Sequence, residues 1–131
     1  MPLHPTKYAE MLSAKMKASG VNVWLINTGW TGGPHGIGSR MKLKYTRAMI
    51  TAALNGELED ANYEQHPIFG LNVPQSVPNV PSEVLNPKET WKNKKAYDIQ
   101  AKELASSFKD NFKKFEEYAN DEIMSGAPLE G

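Results

Sequence analysis

Residues 27 to 47, NTGWTGGPHGIGSRMKLKYTR, place five glycines between Gly29 and Gly38 and then four cations, Arg40, Lys42, Lys44 and Arg47. Glycine-rich turns let backbone amides approach phosphate oxygens closely, and an arginine fork matches the oxygens of an anion. Gly33 to Gly38 has the G-x-x-x-x-G frame of a phosphate cradle. The lysine and hydroxyl that should follow, to reach the outer phosphates and a metal, are replaced by Ser39 and Arg40. On spacing alone three plainer readings stay open: a glycine-rich connection that only gives flexibility, a solvated strand face for Arg40, and helix N-capping for Thr46.

The remaining chemistry-bearing residues are scattered. His4, His35 and His66 have no carboxylate partner at helical spacing, so they do not read as a metal centre. There is no cysteine, no nucleophile elbow and no H-E-x-x-H pattern. Glu57, Glu59 and Asp60 follow a helix stop, and Glu116 with Glu117 lie on the polar side of a helix, as solvated acids do.

These residues sit in a 131-residue chain that is 40% hydrophobic and 23% charged, with 15 basic and 15 acidic side chains. That is the composition of a single globular domain. A net charge of zero argues against holding nucleic acid or an anionic membrane through bulk charge. The longest apolar run, VWLI at 23 to 26, is far short of the ~20 residues of a membrane span, and no signal-peptide core opens the chain. The absence of cysteine fits a reducing cytosol, and the sequence predicts a soluble, cytoplasmic, unprocessed protein.

The elements that must position the loop follow from periodicity. Tyr8, Met11, Leu12 and Met16 recur at helical intervals, predicting a helix from Pro5 to Ser19 with Thr6 as N-cap and Gly20 in the left-handed closing position. VNVWLIN, 21 to 27, reads as a strand buried on both faces. RMKLK, 40 to 44, alternates like a strand with one wet face, so no helix N-terminus is expected to face an anion there. A second helix is expected around Met49, Ile50, Ala53 and Leu54, stopped by Asn55-Gly56. PIFGLNV, 67 to 73, is a candidate short strand. Five of the nine prolines lie from Pro67 to Pro87, which predicts extended loop. A last helix from about Lys94 to Ala119 carries Tyr97, Ala101, Leu104, Phe108, Phe112 and Phe115 on one stripe, and residues 120 to 131 are expected to fray. The predicted fold class is α/β: a short mixed sheet with about three helices, one segment of a larger α/β domain. A strand buried on both faces needs more neighbours than this inventory supplies.

Five blocks, HPTKYAEML at 4 to 12, WLINTGWTGG at 24 to 33, GSRMKLKYTRAMITAALNG at 38 to 56, VPSEVLNPKETW at 80 to 91 and ELASSFKDNFKKFE at 103 to 116, resemble in order the C-terminal portion of ATP-dependent phosphoenolpyruvate carboxykinases. The resemblance implies an enzyme of gluconeogenesis, a lyase that converts oxaloacetate and ATP to phosphoenolpyruvate, ADP and CO2 with Mg²⁺ and Mn²⁺. It implies nucleotide contacts from Arg40, from the main chain of Met41 and from Thr46, the last against the adenine or ribose. The family's P-loop and metal ligands lie in a preceding region, so neither catalytic residues nor metal ligands are expected in this chain. Its partners would be the nucleotide and the remainder of the carboxykinase chain, and alone it would be inactive. Self-association is a further expectation, because a piece of a larger sheet bares edges and apolar faces.

Two other classes compete. A noncatalytic interaction module would use the proline-rich segment 67 to 87 and an exposed Phe108, Phe112 and Phe115 stripe. A stand-alone nucleotide sensor would bind ATP tightly without help.

Overall fold

The computed structural model describes residues 3–131. Helix α1 runs Pro5–Ser19 and closes on Gly20 at φ 61, whose N–H donates to the Met16 carbonyl. His4, not Thr6, is the N-cap residue; Pro5 presets the first helical φ, and Thr6 lies in the first turn, its hydroxyl 2.7 Å from His4 Nδ1.

The chain then departs from expectation. Among the described residues, residues 21–28 pair with no strand, and Val21, Val23 and Leu25 are 56%, 58% and 85% exposed. Strands β1 (Trp30–Thr31) and β2 (Ser39–Arg40) form a small antiparallel hairpin instead. Strand character ends at Arg40, because Lys42 is already the N-cap of helix α2, Leu43–Leu54. The alternation of RMKLK therefore belongs to a strand end and a helix start. Thr46 lies inside α2 and does not cap it.

The proline-rich region holds more structure than loop. Strand β3 (Tyr63–Gln65) pairs antiparallel with β4 (Asn72–Pro74), and Val77 bridges Val80. Two single helical turns follow, α3 (Ser82–Leu85) and α4 (Pro87–Thr90), the second started by Pro87 as α1 is by Pro5. Residues 67–69 form a turn, so the strand expected from 67 to 73 is confined to its far end. Helix α5 spans Lys94–Phe112, capped by the Asn93 side chain on the Ala96 N–H, and tightens into a 3₁₀ turn at Lys113–Tyr118. A last turn, α6 (Asp121–Met124), is capped by Asn120. Beyond it the Leu129 N–H donates to the Ile68 carbonyl at 2.7 Å.

The architecture is thus mixed α/β, with two separate antiparallel strand pairs. The core is divided as well. Ala52, Leu58, Val77 and Val80 form one cluster, covered by Trp24, Tyr45 and Met49. Ile68, Ala101 and Ala105 form the other, with Phe69 and Tyr97 against them. Among the described residues no large side chain is fully buried. A compact 14.6 kDa monomer exposes roughly 6,900 Å². This chain exposes 9526 Å².

Candidate functional site

The hairpin that carries Arg40 is closed by its own backbone. Trp30 pairs with Arg40 and Thr31 with Ser39, while the Ile37 and Gly38 N–H groups both donate to the Pro34 carbonyl, at 3.0 and 2.9 Å. A Cβ at Gly38 would stand 2.6 Å from the Thr31 carbonyl oxygen and closer still to that of Gly33, so only glycine fits. The Gly32 N–H donates to Thr90 Oγ1 at 3.0 Å, and Thr90 Oγ1 donates onward to the Pro87 carbonyl at 2.6 Å. The loop is therefore tethered to α4 across 58 residues of sequence. Gly32, Ile37 and Gly38 spend their amides inside the protein, which leaves the loop poorly suited to cradle a phosphate.

The donors lie just beyond the loop. Arg40 is exposed at the end of β2, Met41 is half-buried, and α2 begins two residues later. The Met41 N–H is committed to the Gly29 carbonyl at 3.0 Å, whereas its own carbonyl accepts from no backbone amide among the described residues. The Leu43 and Lys44 amides, at the α2 N-terminus, likewise lack an acceptor there, and neither a capping side chain nor an acid occupies that first turn. A helix N-terminus thus adjoins Arg40, contrary to the expectation drawn from the RMKLK alternation.

Among the described residues six ion pairs hold the surface elsewhere, and none includes Arg40, Lys42, Lys44 or Arg47. Lys42 and Lys44 instead place their ammonium groups 6.0 and 5.0 Å from the centre of the Tyr45 ring. The arrangement is a local cluster of uncompensated positive charge in a chain of zero net charge, joined by a helix terminus with unused donors. Such a surface attracts a polyanion. Thr46 is buried, at 9% exposure, in the first turn of α2. Arg40, Met41 and Thr46 are near neighbours in sequence, and Arg47 follows Thr46 on α2.

The histidines stay apart. His35 packs edge-on against Trp30 at 4.9 Å, and His4 lies against Phe115 and Tyr118. His66 is the one that sequence reasoning undervalued. Its Nδ1 accepts from the Ile68 and Phe69 amides, both at 3.3 Å, which fixes the proton on Nε2, 2.9 Å from the Tyr97 hydroxyl. Burial lowers the His66 pKa, and it raises that of Tyr97, with Asp98 adding to the effect. Both groups are therefore held neutral, and the pair organises a turn. Its signal, a histidine two and three residues before two amides, is invisible without the backbone. Among the described residues no group of three or more His, Asp or Glu is placed to hold a metal ion.

The phosphoenolpyruvate carboxykinase family model matches residues 1–83. Similar curated proteins bear the name phosphoenolpyruvate carboxykinase (ATP). That of Christiangramia forsetii is 69% identical over 130 residues, covering 99% of this chain and 24% of the relative. That of Flavobacterium johnsoniae is 70% identical over 129 residues, covering 98% and 24%, and that of Brevibacillus brevis 61% over 114 residues, covering 87% and 22%. The chain thus spans about a quarter of the length of the curated relatives it matches. With more than half of its residues inside the family model, the chain belongs to the ATP-dependent phosphoenolpyruvate carboxykinase family.

Proposed function

We propose that this chain is the nucleotide-contacting part of an ATP-dependent phosphoenolpyruvate carboxykinase, which converts oxaloacetate and ATP to phosphoenolpyruvate, ADP and CO2 in gluconeogenesis. The observation that carries this reading is the run of cations, Arg40, Lys42, Lys44 and Arg47, which make no ion pair among the described residues and lie at and beside the open N-terminus of α2. Arg40 offers the nucleotide a fixed positive charge. Met41 contributes its unpaired carbonyl as an acceptor, since its N–H is already used. Thr46 lies against the adenine or ribose. Phosphoryl transfer depends on positioning and charge neutralisation, and these residues supply one side of both.

Divalent metal, when bound to such an enzyme, neutralises charge on the phosphates. The described residues assemble no ligand set for it. The chain alone is accordingly catalytically inactive, and it works in the cytoplasm, in keeping with its lack of cysteine. The interaction-module reading has less support. Phe112 and Phe115 pack edge-on against each other at 6.0 Å, and Phe108 meets Phe69 at 6.4 Å, so the aromatic stripe is partly consumed within the chain.

The test replaces the matching segment of the Flavobacterium johnsoniae carboxykinase with this chain. Arg40→Ala in that hybrid should raise KM for ATP about ten- to a hundred-fold, the scale of a charge-assisted hydrogen bond. An unchanged KM would overturn the assignment of Arg40. Turnover of oxaloacetate by the isolated chain would overturn its inactivity.

A further inference from the structure

Helix α2 closes on the one Asn-Gly pair in the sequence. Gly56 takes φ 75, its N–H donates to the Ala53 carbonyl at 3.3 Å, and the Glu57 N–H donates to the Ala52 carbonyl at 3.0 Å. These are the two bonds of a Schellman closure, with Gly56 as its left-handed residue. Asn55 is exposed, and its side-chain amide donates to Glu57 Oε1 at 2.9 Å, which turns it toward the residues that follow. Space around Gly56 is open, since a Cβ there would meet nothing closer than Glu59 Oε1 at 3.7 Å.

We propose that Asn55-Gly56 is a site of spontaneous covalent modification, at which α2 rewrites its own end. The Gly56 backbone nitrogen attacks the Asn55 side-chain carbonyl carbon, forming a new C–N bond. The Cγ–Nδ2 bond breaks, and ammonia leaves with the proton that Gly56 gives up. Water then opens the five-membered imide at either carbonyl, to aspartate or to isoaspartate. No oxidant or further reactant is needed. Glycine makes the step possible, because it has no side chain to shield the attacking nitrogen and its backbone turns freely. The other nine asparagines precede larger residues, Asn86 a proline without an N–H. Attack requires Asn55 to leave its present ψ of −1, so the last turn must open first. Only the two closing bonds are lost in doing so, and helix ends open more readily than the chain unfolds.

The product alters the protein in two ways. A carboxylate appears at the C-terminus of α2, where the helix dipole disfavours it, next to Glu57, Glu59 and Asp60. Isoaspartate also reroutes the backbone through the former side chain and lengthens it by one methylene, so Glu57 loses its register with Ala52. Leu58 follows directly, 5% exposed in the cluster with Ala52, Val77 and Val80, and Glu59 accepts from the Asn22 side chain at 3.1 Å. The change therefore reaches the core under the helix that carries Thr46 and Arg47. The proposal is independent of the nucleotide assignment.

The test incubates the purified chain for days at mildly alkaline pH, followed by digestion and mass spectrometry with fragmentation that separates isoaspartate from aspartate. Asn55 should exchange NH2 for OH about ten-fold faster than any other asparagine, faster still as pH rises because the attacker is the deprotonated amide, and give both products. Asn55→Gln should remain unchanged. Conversion of Asn55 no faster than of the other asparagines, or only in urea that unfolds the chain, overturns the proposal. Aspartate without isoaspartate overturns the imide route, since direct hydrolysis gives that alone. Modified molecules, separated by their extra negative charge, should melt at a lower Tm than unmodified ones, with Asn55→Asp, which adds the charge and keeps the backbone, between them. An equal Tm would overturn the claimed reach into the core.

Discussion

Leu25 is 85% exposed, whereas Gly33, eight residues further on, is buried. Composition would have assigned them the other way round. The apolar run from Val21 to Asn27 is the segment most suited to a core, and the glycine loop after it the one most suited to flexibility. The loop is closed by amides that find acceptors within a few residues or on Thr90, and by a Gly38 site that admits no side chain. The apolar run has no such internal means. Its order depends on cover, and hydrophobicity supplies a driving force only when something is there to be covered by. The hydrogen bonding of the loop is thus met inside this chain, while the hydrophobic burial of the apolar run is left incomplete.

Four measurements on the isolated chain probe that contrast. Gly38→Ala should have the largest effect, destabilising by about 3 kcal/mol in urea unfolding, because two carbonyl oxygens occupy the space of the new methyl. Thr90→Val should cost about 1 kcal/mol, leaving the Gly32 amide without its acceptor and speeding its hydrogen exchange.

Acidification should act through His66, whose ring accepts two amides in the same locally satisfied fashion. Its folded pKa lies below the ordinary value of 6.5, so below that value the unfolded chain takes up the proton first. The stability contributed by the neutral ring is complete above pH 6.5 and declines as pH falls from 6.5 through the lowered folded value. His66→Gln should flatten this part of the stability profile, and an unaltered profile would show that the ring is not responsible. Leu25→Asn should have the smallest effect, within about 0.5 kcal/mol, since the side chain it removes is already in water. A large loss there would mean that the segment is covered in the isolated chain, and the contrast would collapse.

The sequence was most legible where a structural feature depends on near neighbours. The first helix has the expected bounds because Pro5 and Gly20 terminate it and side-chain spacing fills it. The fifth helix starts at Lys94 as expected, but its end was overrun, since Lys113–Tyr118 keeps helical character as a 3₁₀ turn. The second helix was entered too late because Met41 and Leu43 alternate with three basic residues across a strand end and a helix start. The strand expected at 21 to 27 was misjudged for a different reason: its apolar composition predicts burial on both faces, whereas among the described residues it pairs with no strand and Val21, Val23 and Leu25 stay exposed. At the candidate site, Arg40, Met41 and Thr46 could be singled out by resemblance. The N-terminus of α2 beside them, and the tether from Thr90, could not be read from spacing.

The bare backbone of residues 21–28 has a bearing on the lifetime of the protein. Proteases bind substrates as extended strands, and exposed segments of this kind are where folded chains are nicked first. A cut near Leu25 would separate α1 from everything after it. The contacts left between the pieces would be of the kind made by Glu122, which accepts from Ser13 at 3.2 Å and Lys17 at 2.7 Å, and by His4 against Phe115 and Tyr118.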